Sequence, residues 1–166
     1  MRAVFALMSV LLLAACGGGG GGGGSGGGTP PDPATPGLAS TGCGRYQGVD
    51  RGTTWLFLGI RYAAAPTGTL RWKSPASPTC PVEVVQAASF PSACPQLNQA
   101  TGAVTGDEDC LALNVYTPKS AFPAGRAPVM VFIHGGGNSQ GSTSEMVGDA
   151  HRRAWALSKG IIAVTI

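Results

Sequence analysis

The chain is poor in charge: only 11% of its 166 residues are Asp, Glu, Lys or Arg, and no tract of Lys and Arg stands out. Without a basic stripe there is no electrostatic footprint for nucleic acid, so no nucleic-acid partner is expected. Long apolar runs are scarce as well. The longest largely apolar stretch, Ala3 to Ala15, follows Arg2 and covers 13 residues. As a helix it would reach about 20 Å, against a hydrocarbon core of about 30 Å, which argues against a permanent transmembrane anchor.

What that stretch does resemble is a secretory signal, with a basic first position, an apolar centre and small residues at its end. Leu13-Ala14-Ala15-Cys16 is similar to the bacterial lipobox, in which the cysteine is lipidated and becomes the first residue of the mature protein. The expectation is a signal peptide over 1–15 and an exported bacterial lipoprotein held to a cell-envelope membrane through Cys16. The net charge of +3 would fall to +2 once Arg2 is removed, ten basic residues then facing eight acidic ones. Gly17 to Gly24, Ser25 and Gly26 to Gly28 lead into the proline-rich stretch Thr29 to Gly37. Nothing there can form a core, and the dozen glycine-rich positions should span about 17 to 21 Å as a flexible coil. Residues 16–41 therefore read as a lipidated cysteine plus tether, and 42–166 as the folded part.

Setting Cys16 aside leaves Cys43, Cys80, Cys94 and Cys110, an even number in an exported chain. Two disulfides are expected, but four cysteines allow three connectivities and spacing does not choose among them.

Within the folded part, Gly44 to Val49 and Thr53 to Ile60 flank the turn signal Asp50-Arg51-Gly52, which predicts a β-hairpin. Val82 to Val85 and Leu111 to Tyr116 read as further strands. Val129 to Ile133 reads as a buried strand, Val147, Ala150, Ala154 and Leu157 recur at helical spacing before Gly160, and Ile161 to Ile166 reads as another buried strand. Strand, helix, strand is the unit of a parallel sheet with a right-handed crossover. The expected class is α/β, an antiparallel hairpin leading into a mostly parallel sheet. Such a sheet needs further strands and helices to cover both faces, so a C-terminal truncation is expected.

The junction after Val129 to Ile133 carries the chemistry. His134-Gly135-Gly136-Gly137 places three residues without Cβ at the end of a strand, so the backbone can take positive φ and bring its N–H groups close to a ligand. In α/β-class hydrolases an HGGG turn supplies part of the oxyanion hole for acyl transfer.

Four blocks, in order and at similar spacing, resemble the N-terminal portion of the type-B carboxylesterases. They are Phe57 to Ala63 with Pro66, Gly68 and Leu70-Arg71-Trp72; Ala93-Cys94-Pro95-Gln96; Glu108-Asp109-Cys110-Leu111 with Leu113 to Pro118; and Val129 to Gly137 with Gly141-Ser142. The resemblance implies the N-terminal part of an α/β-hydrolase fold and a serine esterase working through an acyl-enzyme. It implies a small-molecule carboxylic ester as substrate and no metal or cofactor. It also implies a Cys94–Cys110 bond, which leaves Cys43 and Cys80 for each other, and a structural salt bridge between Arg71 and Glu108. Gly136 and Gly137 would be oxyanion donors, and His134 a structural residue of the motif. The nucleophile, acid and catalytic histidine would lie beyond Ile166, so the chain alone is expected to be inactive.

Gly137-Asn138-Ser139-Gln140-Gly141 also matches the G-x-S-x-G nucleophile elbow. Ser139 is nonetheless a poor nucleophile candidate, because one short turn cannot easily present both the attacking oxygen and the donors facing its adduct. Asp149 and His151, two apart on the expected helix, face different directions and cannot complete a triad with it. Two positions depart from the family: Asn138 replaces a usual aromatic and Arg61 a commoner proline. Residues 95–109 contain no aromatic side chain, which removes a cation–π platform for quaternary ammonium substrates. The competing reading is a cholinesterase-like binding or adhesion domain that keeps the scaffold without the triad. A genuine short lipoprotein is disfavoured, because an unpaired hydrophobic strand at its end would invite aggregation.

Overall fold

The computed structural model describes residues 35–122, 126–144, 155, 156 and 158–166. Cys16, Asp149, His151 and most of the expected helix lie outside the described residues. Strand pairing begins at β1 (Leu38–Thr41), inside the segment 16–41 that composition assigns to a tether. β1 pairs antiparallel with β2 (Gly44–Gln47), which runs parallel to β5 (Val84–Gln86) in a three-stranded sheet. The Cys43–Cys80 disulfide, with Cα atoms 4.7 Å apart, joins the β1–β2 turn to the segment leading into β5.

The expected strand over 44–49 is divided between two sheets. After β2, Gly48 N donates to Gly37 O at 2.9 Å, and β3 (Val49–Asp50) then pairs antiparallel with β4 (Thr54–Arg61). The hairpin turn is the one Asp50-Arg51-Gly52 signals. Arg51 N donates to Thr54 O at 3.0 Å, Gly52 N to Asp50 Oδ1 at 2.8 Å, and Lys119 Nζ sits 2.7 Å from the Asp50 carboxylate. The Lys119 ammonium first, and the Gly52 N–H second, hold the Asp50 carboxyl below the usual carboxylate range.

β4 pairs antiparallel with β8 (Ala112–Pro118), and β8 antiparallel with β10 (Ile162–Thr165). β10 runs parallel to β9 (Val129–Phe132), giving the order β3-β4-β8-β10-β9. The sheet is mixed, and among the described residues of its five strands parallel pairing is confined to β9–β10, where the strand–helix–strand pattern predicts it. Residues 155, 156, 158 and 159 are helical, and Ile161 N donates to Ala156 O at 3.2 Å as the chain turns into β10.

β4 is buried from Thr54 to Leu58, and its alternating side chains serve two cores. Leu56 and Leu58 join Tyr116, Ala156 and Ala163, whereas Trp55 and Phe57 join Tyr46 and Ala87. Burying each large side chain contributes about 1.5 to 3 kcal/mol, so this one strand carries a large share of the apolar stabilisation. β9 is different from its reading as a buried strand. Val129, Met130 and Val131 are 60%, 44% and 56% exposed, and Ile133 is 75% exposed. Its ladder is paired on one side only, by β10, and the described residues leave its faces largely uncovered. β10, read as buried, hides Ala163 and Thr165 and leaves Ile162 and Val164 half-buried.

Leu56 is fully buried between β8 and the helical residues. Leu56→Ala should destabilise the fold by about 2 to 5 kcal/mol, read as a lower urea midpoint at unchanged slope. A loss below about 0.5 kcal/mol would show that this strand does not organise the core.

Candidate active site

The β9–β10 ladder runs directly into the glycine turn: Ile166 N donates to Phe132 O at 3.0 Å and His134 N to Ile166 O at 3.4 Å. The chain then enters the left-handed region at Gly136 (φ 115°), Gly137 (φ 62°) and Asn138 (φ 59°). Gly136 is required sterically, since a Cβ there would lie 1.8 Å from Gln140 O. Its carbonyl closes the turn, accepting from Ser139 N at 3.1 Å, Gln140 N at 3.3 Å and Ser139 Oγ at 3.1 Å. Among the described residues, the Gly136 and Gly137 N–H groups have no acceptor. They border two adjoining depressions, of about 530 and 610 Å³, that share Gln96, His134, Gly135, Gln140 and Gly141.

His134 Nδ1 lies 2.7 Å from Gly135 O. A carbonyl only accepts, so Nδ1 carries the proton and the ring braces its own loop. Ser139 likewise turns its hydroxyl back onto Gly136 O. The structure thus places His134, Gly136, Gly137 and Ser139 together in one turn. Asn138, where an aromatic is usual, is exposed on it.

The wall beside this turn is built by the Cys94–Cys110 disulfide, whose Cα atoms are 5.1 Å apart. Within the closed loop, β6 (Gln96–Leu97) pairs with β7 (Val104–Thr105), and Asn98 Oδ1 accepts from Ala100 N and Thr101 N at 2.9 and 3.1 Å. Such a closure is worth about 3 kcal/mol by the chain-entropy estimate. Arg71 and Glu108 form an ion pair at 2.9 Å across the base of the loop. Both are partly exposed, which limits the pair to about 1 kcal/mol or less. Beside it, Arg61 grips Asp109 with two guanidinium nitrogens, Nε donating to Oδ1 at 2.8 Å and Nη2 to Oδ2. Those hydrogen bonds hold the Asp109 carboxyl below its ordinary range, with burial opposing the shift.

Three contributors to the site carry no role in the sequence reading. Asp109 is the partner that makes Arg61 structural. Gln96 bonds both backbone groups of Gly141, Oε1 accepting at 2.8 Å and Nε2 donating at 3.0 Å. Asn114, fully buried in β8, accepts from Gly59 N at 3.0 Å and donates to Thr143 Oγ1 at 2.9 Å and Thr165 Oγ1 at 3.1 Å. An amide in the middle of an otherwise apolar strand, Leu113-Asn114-Val115, is the signal that could have found the last of these, because burying it demands partners. Among the described residues no group of His, Cys, Asp and Glu is arranged to hold a metal ion.

Comparison with known proteins agrees with this geometry. Residues 37–166 match the model of the carboxylesterase family. The chain is 37% identical over 128 residues to a fumonisin B1 esterase of Sphingopyxis macrogoltabida, covering 75% of this chain and 23% of that protein. It is 34% identical over 134 residues to a para-nitrobenzyl esterase of Bacillus subtilis, covering 78% of this chain and 27% of that one. A solved carboxylesterase of Geobacillus stearothermophilus superposes with a TM-score of 0.67 at 31% identity, covering 78% of this chain and 26% of that one. The chain belongs to the carboxylesterase family, and its fold is the N-terminal part of the α/β-hydrolase architecture. It spans about a quarter of the length of these relatives.

The Arg61–Asp109 pair makes stability pH-dependent in a defined direction. Because the folded-state pKa of Asp109 is depressed, its contribution is present above the unfolded carboxylate value near pH 4 and lost as pH falls through the folded value. Asp109→Asn should therefore lower stability by up to about 1 kcal/mol at pH 7, and the gap to wild type should shrink as pH falls below the unfolded carboxylate value and through the depressed folded one. A gap that stays constant across an acid titration of the urea midpoint would remove the pair from the account.

Proposed function

We propose that the protein carrying this chain is a carboxylic ester hydrolase of the serine type, in which residues 37–166 supply the oxyanion-binding half of the active site. The observation that carries this reading is the pair of N–H groups at Gly136 and Gly137, without acceptors among the described residues, on a turn whose Ser139, Gln140 and Gly141 amides are each hydrogen-bonded. Its support from comparison is membership of the carboxylesterase family and the esterase names of the relatives. A serine outside residues 1–166 attacks the ester carbonyl, activated by a histidine and a carboxylate also outside them. As the carbonyl carbon becomes tetrahedral, its oxygen gains negative charge, which the two glycine N–H groups stabilise where a looser ground-state carbonyl gains less. The substrate is a small carboxylic ester. Quaternary ammonium esters are disfavoured, since the disulfide loop over 95–109 offers no aromatic face.

The test is hydrolysis of chromogenic esters by the full-length protein. Gly136→Ala should lower kcat by about a hundredfold or more, because the Cβ meets Gln140 O and one donor is displaced. Gly137→Ala meets no atom and costs only the positive φ, about 1 to 2 kcal/mol. The 166-residue chain should show no turnover, with or without Ser139→Ala. Turnover by that chain, lost in Ser139→Ala, would contradict the assignment, and an inactive full-length protein would favour the binding-domain reading.

We further propose that the protein is an exported bacterial lipoprotein, with Cys16 acylated at the cell envelope and the glycine-rich segment holding the enzyme off the membrane surface. Growth with an alkyne fatty acid should label the wild-type protein in the membrane fraction and not the Cys16→Ala variant. Equal labelling of both would sink the anchor.

A further inference from the structure

We propose that Gln96 is a positioning residue for the oxyanion donors, carrying the rigidity of the disulfide-closed loop into the glycine turn; the inference rests on the oxyanion reading above. The half-buried Gln96 side chain makes three hydrogen bonds. Its Oε1 accepts from Gly141 N at 2.8 Å, and its Nε2 donates to Gly141 O at 3.0 Å and to Cys94 O at 3.1 Å. Binding both backbone groups of one residue fixes the orientation of the two peptide groups that flank it as well as their place.

Gly141 is where this matters. A Cβ there would lie 2.5 Å from His134 Nδ1 and 2.7 Å from Gly135 O, so the exit of the turn is pressed against its entry. The preceding carbonyl, Gln140 O, belongs to the peptide bonded to Gly141 and is the atom closest to the Cβ position of Gly136. A displaced Gly141 thus moves Gln140 O against Gly136 and re-aims the donors. The other end of the clamp is anchored covalently, since Cys94, whose carbonyl shares Gln96 Nε2, is bonded to Cys110 just before β8. Only a neutral amide fits both bonds. A carboxylate in its place keeps the acceptor for Gly141 N–H and turns a second acceptor towards Gly141 O, and a leucine keeps neither.

Two measurements decide it. In the full-length protein, Gln96→Leu should lower kcat by about ten- to a hundredfold with KM within about threefold, and Gln96→Glu should fall between it and wild type. A purely structural glutamine would lower the melting temperature and leave kcat of the folded protein intact. In the 166-residue chain, which needs no turnover, Gln96→Leu should speed amide exchange at Gln140 and Gly141 by about tenfold or more while Leu56 and Val115 stay protected. Should the leucine variant fail to fold, Gln96→Glu carries both arms. Unchanged exchange at Gln140 and Gly141, or kcat within about threefold of wild type in every folded variant, overturns the proposal. A full-length wild type without esterase activity would instead defeat the functional reading, with the exchange arm then judging the Gln96 clamp alone.

Discussion

A single buried amide holds the sheet and the glycine turn in register. Asn114 sits in β8 with no exposed surface and bonds three separate segments: the Gly59 backbone in β4, Thr165 in β10 and Thr143 beyond the glycine turn. Its oxygen and its two amide hydrogens are all used, so the low dielectric that makes a half-satisfied amide costly here strengthens each bond. The β4–β8 ladder shifts register between Phe57 and Ile60, and the N–H freed at Gly59 is the one Asn114 takes up. A strand irregularity, a buried amide and the segment leaving the glycine turn are therefore one arrangement.

Around that centre, rigidity is delivered to the glycine turn from two sides. The β9–β10 ladder fixes its entry through His134 and Ile166, and the disulfide-closed loop fixes its exit through Gln96 and Gly141. Preorganisation is what an oxyanion site requires, because donors already in place cost no reorganisation when charge develops. The partly exposed ion pairs Arg71–Glu108 and Arg61–Asp109 add little energy but tie the end of the loop to Arg61 in β4 and to Arg71 beyond it.

The sequence was most legible where local chemistry decides structure. Asp50-Arg51-Gly52 forms the predicted hairpin turn, the β9–β10 parallel pair appears where strand, helix and strand follow one another, and the cysteines pair as the family resemblance implies. It was least legible where long-range pairing decides. The segment 44–49 is continuous in composition but divides at Gly48 between two sheets, and nothing local announces that Leu38–Thr41 pairs at all. Val129 to Ile133 has the composition of a strand covered on both faces, yet it lies at the open edge of the described sheet. Apolar composition records what a strand needs around it, whereas the exposure reflects what the described residues supply. Arg61, conspicuous as a departure, becomes intelligible only once Asp109 is seen opposite it, and Gln96 only once Gly141 is.

The most direct test of the account is a crystal structure of the full-length protein with an alkyl phosphonate bound to its nucleophile. The account predicts a phosphonyl oxygen within about 3 Å of both the Gly136 and Gly137 nitrogens. An adduct whose oxygen is held by other donors, with those two N–H groups turned to solvent, would contradict it.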